Sequence, residues 1–414
     1  MRKSGKKKIK KAYKKFRHSV RLFLESNEKL DDIYLNQKNN QIEKIYGNEK
    51  INEKKIVFTN YMGRGYGCNC KYLAENIIAN NKDYELVWLV NQNEDVSVFP
   101  EQIRLVNYQS QEAMYELSTA KFWISNYHLS YFIKKGLRKK DNQVYIQMWH
   151  GSFGIKKIER HVGSLTESKM WTKVAKLNSD MTDYWISNSD FETDIYKSAF
   201  WNVKNIKLLG HPRNDIFFND NTKLHQKVLS KYNADMGKKI VLYMPTFRED
   251  YRLDCYNLDG SKLCEKLSKR FGGEWLLLVR LHPRIVQYKD RFFQQFGSEN
   301  VIDVTDYDDV QELLAIADVM ISDYSSCIFD YLLAKKPAFI YATDIEEYEN
   351  ERGLYYSLYE TPFSITKNND ELLKAINEFD EKQYLEKVEQ FLDGKGSVEE
   401  GKASEKIVEF IDSL

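Results

Sequence analysis

Short runs of apolar residues alternate with longer segments of mixed polarity along most of this chain. The runs are rich in Val, Ile, Leu and aromatic residues, which is typical of buried β-strands. In the first half they lie at residues 56–59, 86–90, 103–106, 122–125, 144–147, 184–187 and 207–209. In the second half they lie at residues 239–244, 275–279, 301–304, 319–321 and 338–341. Strands that alternate with helical segments at this spacing predict parallel, doubly wound α/β sheets.

The chain divides into three predicted parts. With 414 residues it is too long for one ordinary core, so two α/β domains are expected. A polar, helix-forming stretch at residues 216–237 separates the two groups of strands. We therefore predict a Rossmann-like domain over residues 51–218 and a second one over residues 219–414, preceded by a segment at residues 1–50. Helices within residues 370–414 are expected to pack back across both domains.

The first residues of the chain carry a charge pattern of their own. Residues 1–21 contain eleven Lys or Arg and no acidic residue, although the net charge of the chain is only +1. Apolar side chains recur there at helical spacing, at Ile9, Tyr13, Phe16, Val20 and Leu24. Residues 1–24 therefore predict a basic amphipathic helix that binds an anionic membrane surface. A solvated basic tail and a nucleic-acid arm are alternatives, but no basic, aromatic-rich sheet follows to favour nucleic acid.

Other features concern the compartment. The five cysteines have irregular spacings and no Cys/His cluster accompanies them, which predicts reduced thiols inside the cell rather than disulfides or zinc. No apolar run reaches the roughly 18 residues that a membrane-spanning helix needs. The basic segment lacks the apolar stretch of a secretory signal. We expect an intracellular protein bound to the membrane from its surface.

Polar residues follow several strands of the first predicted domain. The strand at residues 144–147 runs into Trp149, His150 and Gly151, at the sheet edge where parallel α/β domains bind ligands. A lone histidine is usually structural, but one at a strand end, with glycine beside it and two lysines six and seven residues further on, is a better candidate for a catalytic residue. A second polar cluster follows the strand at residues 207–209. The candidate cleft residues of this domain are Gly151, Lys156, Arg213, Asn214 and Asp215.

Three strands of the second predicted domain also end in polar loops. The residues that follow them are Thr246, Arg248, His282, Arg284, Ser325 and Ser326. Asp323 and the two serines are expected to cap a helix that runs on to Lys336, and such a helix N-terminus suits a phosphate. Because all carboxyl ends of a parallel sheet share one edge, these groups predict a polyphosphate site. The alternative is three unrelated loops around an ordinary βαβ unit.

Five motifs in order make the chain resemble the CDP-glycerol glycerophosphotransferase family, which makes teichoic acids and related capsular polymers in bacteria. The motifs lie at residues 147–151, 210–215, 244–248, 281–284 and 322–330, within a resemblance that spans roughly residues 54–410. The chain departs from the family pattern at His211, where the family usually has Tyr. It also has Ser152-Phe153 where the family usually has Thr-Pro. Both departures bear on the identity of the acceptor.

The resemblance implies a GT-B fold, in which two Rossmann-like domains face a cleft. It makes residues 51–218 the acceptor domain and residues 219–414 the CDP-donor domain. It also implies residue roles: His150 as the base, His282 as a contact of the donor pyrophosphate, and Ser325 with Ser326 as a phosphate site. Thr246, Arg248 and Arg284 fall in the same donor-binding motifs.

The implied reaction transfers a polyol phosphate. An acceptor hydroxyl attacks the β-phosphorus of CDP-glycerol or CDP-ribitol, and CMP leaves. Asp330 is a candidate to accept a hydrogen bond from a ribose hydroxyl of the donor. The alternative is that it lies on the solvated face of its helix. No carboxylate cluster has the spacing of a divalent-metal site, so we expect neither metal nor cofactor. A lipid-linked acceptor implies that the enzyme works on the cytoplasmic face of the bacterial membrane. We expect no nucleic-acid partner. A nucleotide-sugar glycosyltransferase of the same fold is the alternative.

Overall fold

A computed structural model of the chain describes residues 28–163, 168–248, 250–294, 296 and 300–414. The predicted basic helix at residues 1–24 lies outside the described residues. Within the described part the chain forms two parallel sheets, so the predicted arrangement of two Rossmann-like α/β domains is confirmed.

The first sheet has seven strands, all parallel, in the order β3-β2-β1-β4-β5-β6-β7. The strands are β1 (Asn52–Thr59), β2 (Glu85–Val90), β3 (Ile103–Asn107), β4 (Ala120–Ser125), β5 (Val144–Gln147), β6 (Tyr184–Ser187) and β7 (Asn205–Leu208). Continuous burial of the central strands, such as residues 55–59 and 86–90, explains why they are apolar runs rather than alternating patterns.

Helices cover both faces of this sheet. They are α1 (Glu28–Tyr46), α2 (Cys68–Ala79), α3 (Gln111–Thr119), α4 (Ser130–Lys134), α5 (Lys169–Met181) and α6 (Asp190–Ala199). Short side chains begin several of them: Ser110 accepts a hydrogen bond from the Ala113 N–H, and Ser189 accepts one from the Glu192 N–H. The second of these caps fixes the first turn of α6, which faces the cleft described below.

The second sheet has six parallel strands in the order β10-β9-β8-β11-β12-β13. They are β8 (Lys239–Met244), β9 (Trp275–Val279), β10 (Val301–Asp303), β11 (Val319–Ser322), β12 (Ala338–Tyr341) and β13 (Ser364–Thr366). The sequence did not predict β13, which has three residues and a weak apolar pattern. In each sheet the strand order reverses beside the first strand, which is where such folds bind ligands.

The helices of the second domain complete the fold. They are α7 (Thr222–Lys231), α8 (Gly260–Phe271), α9 (Lys289–Phe293), α10 (Val310–Ile316), α11 (Cys327–Tyr331), α12 (Ile345–Arg352), α13 (Asn369–Asn377), α14 (Glu381–Gly394) and α15 (Ala403–Asp412). The last helix returns to the first domain, where Ile407, Val408 and Ile411 join the core formed by α2 and the first sheet. The chain after residue 219 therefore contributes to both domains.

The predicted helix after Ser326 needs a correction. It was expected to run on to Lys336, whereas α11 has five residues and continues as a 3₁₀ helix over Leu332–Ala334 before the chain turns left-handed at Lys335, with φ 53°. The Ser326 side chain forms no capping hydrogen bond. The carboxylate of Asp323 is also occupied elsewhere, because it accepts hydrogen bonds from Thr246 N and Arg248 Nη1.

Candidate active site

The carboxyl ends of the two sheets enclose a cavity of about 750 Å³, within the size range of small-molecule sites. Residues of both domains line it. The predicted site residues on its wall are His150, Gly151, Lys156, Thr246, Arg248, His282, Ser325 and Ser326. The strand ends therefore bring together eight predicted residues that are scattered over 177 positions of sequence, from 150 to 326 inclusive.

His150 stands at the end of β5 on a constrained turn. Trp149, just before it, has φ 46°, a left-handed conformation that is strained for a bulky residue. The Trp149 N–H donates to the Gln147 side chain at 2.9 Å, which helps to hold this turn. Strain of this kind persists where the surroundings fix it, and it aims the next side chain into the cavity.

Hydrogen bonding assigns the protons of the His150 ring. Its Nδ1 lies 2.8 Å from the Asn126 carbonyl oxygen, which can only accept, so Nδ1 carries the hydrogen. Burial lowers the pKa of His150 to about 4, and the Asn126 carbonyl offsets only part of this effect. The ring is thus neutral near pH 7, and Nε2 is left as an unprotonated acceptor.

His282 has the opposite arrangement. Its Nδ1 accepts a hydrogen bond from the Arg284 N–H at 3.2 Å, so the hydrogen of a neutral ring lies on Nε2. The ring packs on Phe247, with 4.6 Å between centroids. The Arg284 guanidinium also stacks on Phe247, 4.6 Å from the ring centroid, but Arg284 is exposed and is not on the cavity wall.

The two domains meet closely inside the site. Gly154 follows the His150 turn, and a Cβ atom on it would lie only 2.9 Å from the Cβ of Ser326. Only glycine allows the loop of the first domain to approach the serine pair of the second this closely. Lys156 lies a little further along this loop, with its ammonium group 5.5 Å from the centroid of the Tyr348 ring.

Arg248 lines the cavity, but its charge is compensated by the protein. Its guanidinium donates to Asp344 at 2.6 and 2.9 Å, to Asp323 at 3.0 Å and to the Thr246 carbonyl at 2.6 Å. Burial by itself lowers the pKa of Arg248, but hydrogen bonding to Asp344 and the charges of Asp323 and Asp344 together outweigh burial and raise that pKa. Arg248 therefore braces the loop after β8. The neighbouring Thr246 hydroxyl, by contrast, is buried without a hydrogen-bond partner among the described residues.

Four predicted site residues lie behind the wall rather than on it. Arg213 donates to both carboxylate oxygens of Asp330, at 3.0 and 3.2 Å, and to the Gly151 carbonyl at 2.6 Å. Asn214 donates to Glu399 at 2.7 Å. The Asp330 carboxylate is thus engaged by Arg213 in this structure, and its location does not match the predicted ribose contact. The pair instead ties the His150 loop to α11 across the domain boundary.

Asp215 is the fourth of these residues. Its carboxylate accepts hydrogen bonds from the N–H groups of Ala403 and Ser404, at 2.9 and 2.8 Å. It caps α15, whose own N-cap residue, Lys402, forms no side-chain cap. The polar cluster after β7 was assigned to cleft contacts, whereas its three side chains join the domains and anchor the last helix.

Several cavity-wall residues were missed from the sequence, and two of them matter for the chemistry of the site. Glu192 and Tyr196 both lie on α6 and face the cavity. The signal was available, because α6 follows the carboxyl end of β6, the same edge that identified His150. Among the residues that the structure describes, no group of three or more His, Cys, Asp or Glu is arranged to hold a metal ion. No helix in the described ranges is long and apolar enough to cross a bilayer.

Comparison with known proteins points in one direction. The sequence profile of a family described as CDP-glycerol:poly(glycerophosphate) glycerophosphotransferase matches residues 42–413. A teichoic acid poly(glycerol phosphate) polymerase of Staphylococcus epidermidis is 32% identical over 377 residues, covering 86% of this chain and 50% of that protein. A teichoic acid glycerol-phosphate transferase of Staphylococcus aureus is 29% identical, covering 86% of this chain and 92% of that protein.

The solved structure of the wall teichoic acid polymerase TagF is also similar. It superposes with a TM-score of 0.74 and 29% sequence identity, covering 98% of both chains. The chain spans about half the length of the first two curated relatives it matches, 50% of one and 48% of the other.

Proposed function

This chain belongs to the CDP-glycerol:poly(glycerophosphate) glycerophosphotransferase family, and we propose that it transfers glycerol phosphate from CDP-glycerol to an acceptor hydroxyl, releasing CMP. The acceptor is a lipid-linked teichoic acid or capsular polymer. One observation carries the proposal: a single cavity joins His150 of the first domain to His282 and the serine pair of the second. This is the arrangement that a transfer between a bound donor and an incoming hydroxyl requires.

His150 is the proposed general base. Its unprotonated Nε2 accepts the proton of the acceptor hydroxyl while the hydroxyl oxygen attacks the β-phosphorus. The bond from that phosphorus to the CMP oxygen breaks, and a phosphodiester forms. The Asn126 carbonyl holds the ring in the tautomer that keeps Nε2 free for the proton.

The donor side of the cleft supplies hydrogen-bond donors and positive charge. His282 presents Nε2–H, and the hydroxyls of Ser325, Ser326 and Thr246 are further donors. Lys156 adds a cation on the wall, and Arg284 adds one just outside it. CMP is a good leaving group, so these groups stabilise the charge that develops on the phosphates without a general acid. We propose on this basis that no divalent metal is required.

Turnover with defined substrates tests the proposal. Dodecyl glyceryl phosphate serves as the acceptor, and CMP release is measured with CDP-glycerol, CDP-ribitol and UDP-glucose, each with and without EDTA. We expect acceptor-dependent CMP release, the highest kcat/KM for CDP-glycerol, and no effect of EDTA. Turnover of UDP-glucose alone contradicts the proposed reaction in favour of a glycosyltransferase. Preference for CDP-ribitol reassigns the polyol, and inhibition by EDTA overturns metal independence.

The basic segment extends the proposal to location. We propose that residues 1–24 bind the anionic inner leaflet, so that the enzyme works on the cytoplasmic face of the membrane as a peripheral protein. Helix α1 follows this segment and packs on the first domain, where Leu35 is buried. The first described helix therefore belongs to the proposed acceptor domain.

A further inference from the structure

Three buried polar atoms on the first-domain wall of the cavity lie outside ordinary hydrogen-bond distances and angles from the described residues. They are Trp149 Nε1, Glu192 Oε1 and Tyr196 Oη. The three residues are 3%, 2% and 0% exposed. An unpaired polar atom is costly to bury, and it is costlier still when it carries charge. Three such atoms on one stretch of cavity wall indicate that a ligand completes them.

Two of these atoms face the same space. A Cβ atom built on Gly151 would lie 3.5 Å from Glu192 Oε1 and 3.7 Å from Trp149 Nε1. Because Gly151 has no side chain, no Cβ atom occupies this point of the cavity wall. It adjoins the proposed base, since the rings of Trp149 and His150 have centroids 4.4 Å apart.

His211 and the Asn188 N–H stabilise the negative charge of Glu192. Burial raises the pKa of its carboxyl group, but the His211 ring and hydrogen bonds outweigh burial and lower the pKa overall. Glu192 Oε2 lies 2.8 Å from His211 Nε2 and accepts from the Asn188 N–H at 3.0 Å. The carboxylate is thus ionised and anchored through one oxygen, which leaves Oε1 towards the open space.

The chemistry of the two facing atoms selects an alcohol. A carboxylate oxygen only accepts a hydrogen bond, and an indole N–H only donates one. A hydroxyl group does both, so one hydroxyl can pair with Glu192 Oε1 and Trp149 Nε1 together. A phosphate oxygen would be repelled by the carboxylate, and a cation would be opposed by the indole N–H.

We propose that Trp149, Gly151 and Glu192 form a subsite for a second hydroxyl of the acceptor polyol, the one next to the attacking hydroxyl. The inference rests on the proposed transfer reaction and adds to it a specificity-determining contact. A hydroxyl held here, beside His150, orients the terminal unit of the acceptor so that its attacking hydroxyl reaches Nε2. A terminal unit without this second hydroxyl leaves Glu192 Oε1 buried and unpaired, which disfavours it.

Tyr196 provides the competing interpretation. Burial raises the pKa of its hydroxyl, and the charge of Glu192 and a long hydrogen-bonding contact with the Glu192 carboxylate raise that pKa further. If the Tyr196 hydroxyl turned to donate to Glu192 Oε1, the carboxylate would be satisfied within the protein. Glu192 would then stabilise the fold and play no part in choosing the acceptor.

Two acceptors that differ by one hydroxyl distinguish the interpretations. Dodecyl glyceryl phosphate has the secondary hydroxyl, and dodecyl 3-hydroxypropyl phosphate lacks it but keeps the primary one. For the wild-type protein we expect kcat/KM to be about tenfold or more higher for the glyceryl acceptor. In Glu192→Gln and Trp149→Phe we expect this ratio to fall below about threefold, through loss of the glyceryl acceptor's advantage.

Controls separate this inference from folding and from the proposed function. Glu116→Gln removes another buried carboxylate, paired with Lys55 at 2.7 Å, and should leave the acceptor ratio unchanged. Calorimetric binding of CDP-glycerol should be unchanged in Glu192→Gln, which shows that the variant is folded. An unchanged ratio in both cavity variants, or an equal loss for both acceptors, overturns the subsite. A wild-type protein that neither binds CDP-glycerol nor releases CMP contradicts the proposed function itself.

Discussion

At the scale of single residues, the two cleft histidines differ because their backbone partners differ. A carbonyl faces Nδ1 of His150, and an N–H faces Nδ1 of His282. The free Nε2 of His150, on the side proposed for the acceptor substrate, can therefore accept a hydrogen bond. The Nε2 of His282, on the side proposed for CDP-glycerol, can donate one. Burial strengthens the first assignment, because it keeps His150 neutral well below physiological pH.

Replacement of His150 by Ala should lower kcat for CMP release by about 10²–10⁴-fold, the usual contribution of a general base. CDP-glycerol binding, measured by calorimetry, should change little because the donor side is intact. His225→Ala is the matched control, since His225 lies on α7 and not on the cavity wall. Turnover of His150→Ala within tenfold of wild type contradicts the assignment.

The pH profile follows from the same pKa. Because the pKa of His150 is lowered to about 4, its base form is lost only as the pH falls through that value. The acidic limb that it imposes on kcat/KM should therefore lie near pH 4, well below the ordinary value of about 6.5 for histidine. An inflection near pH 6.5 that disappears in His150→Ala contradicts the lowered pKa.

At the scale of elements, α15 depends on a residue far away in sequence. Its N-terminal N–H groups are capped by Asp215, whose location is fixed by the turn after β7. The helix contributes Ile407 and Ile411 to the hydrophobic core of the first domain, so the Asp215 cap helps to hold the C-terminal helix against that domain. The N-cap residue of the helix is Lys402, which has no side-chain oxygen, so the local sequence does not show that a distant carboxylate caps this helix.

Replacement of Asp215 by Ala should destabilise the protein by about 1–2 kcal/mol, because two buried helix N–H groups lose their acceptor. Amide hydrogen exchange of residues 403–412 should accelerate more than exchange elsewhere. Asp380→Ala removes a comparable cap from α14 and is the control, since it should not accelerate exchange in α15. Unchanged protection of residues 403–412 in Asp215→Ala would show that packing alone holds the helix.

At the scale of the whole molecule, the fold was predictable and part of the site was not. Buried parallel strands are apolar runs, so twelve of the thirteen strands in the described residues were predicted from the sequence. Strand ends also placed His150 and His282 correctly at one cleft. The sequence did not show which polar residues line the cavity and which lie behind it. Arg213 and Asp330 are residue types that often bind ligands, but in the folded chain they pair with each other behind the cavity wall.

Buried charges also fix how the two domains face each other. Lys71 of α2 lies 2.8 Å from Asp309 and 2.5 Å from Glu312, and Tyr72 donates to Asp309 at 2.8 Å. Such pairs stabilise little in themselves, but removing one partner leaves a buried charge uncompensated. Together with Arg213 and Asp330 they hold the cleft in one geometry, which the transfer of a group between two bound molecules requires.

We expect the basic segment to attach the protein to an anionic membrane surface. Deletion of residues 2–21 removes all eleven Lys and Arg of the basic segment, each worth about 1 kcal/mol near an anionic leaflet. We expect the full chain to sediment with vesicles of phosphatidylcholine and phosphatidylglycerol, and less at high salt. The deleted protein should bind them at least about tenfold more weakly.

The control for that deletion is activity away from a membrane. Helix α1 and the cleft are retained, so the deleted protein should release CMP with dodecyl glyceryl phosphate as rapidly as the full chain does. Replacing Ile9 and Phe16 by Ser, with all charges kept, tests the apolar face of the predicted helix separately. Because both charge and apolar burial contribute to such binding, this variant should bind with intermediate strength. Equal sedimentation of the full and deleted proteins contradicts the anchor and leaves the proposed transfer reaction intact.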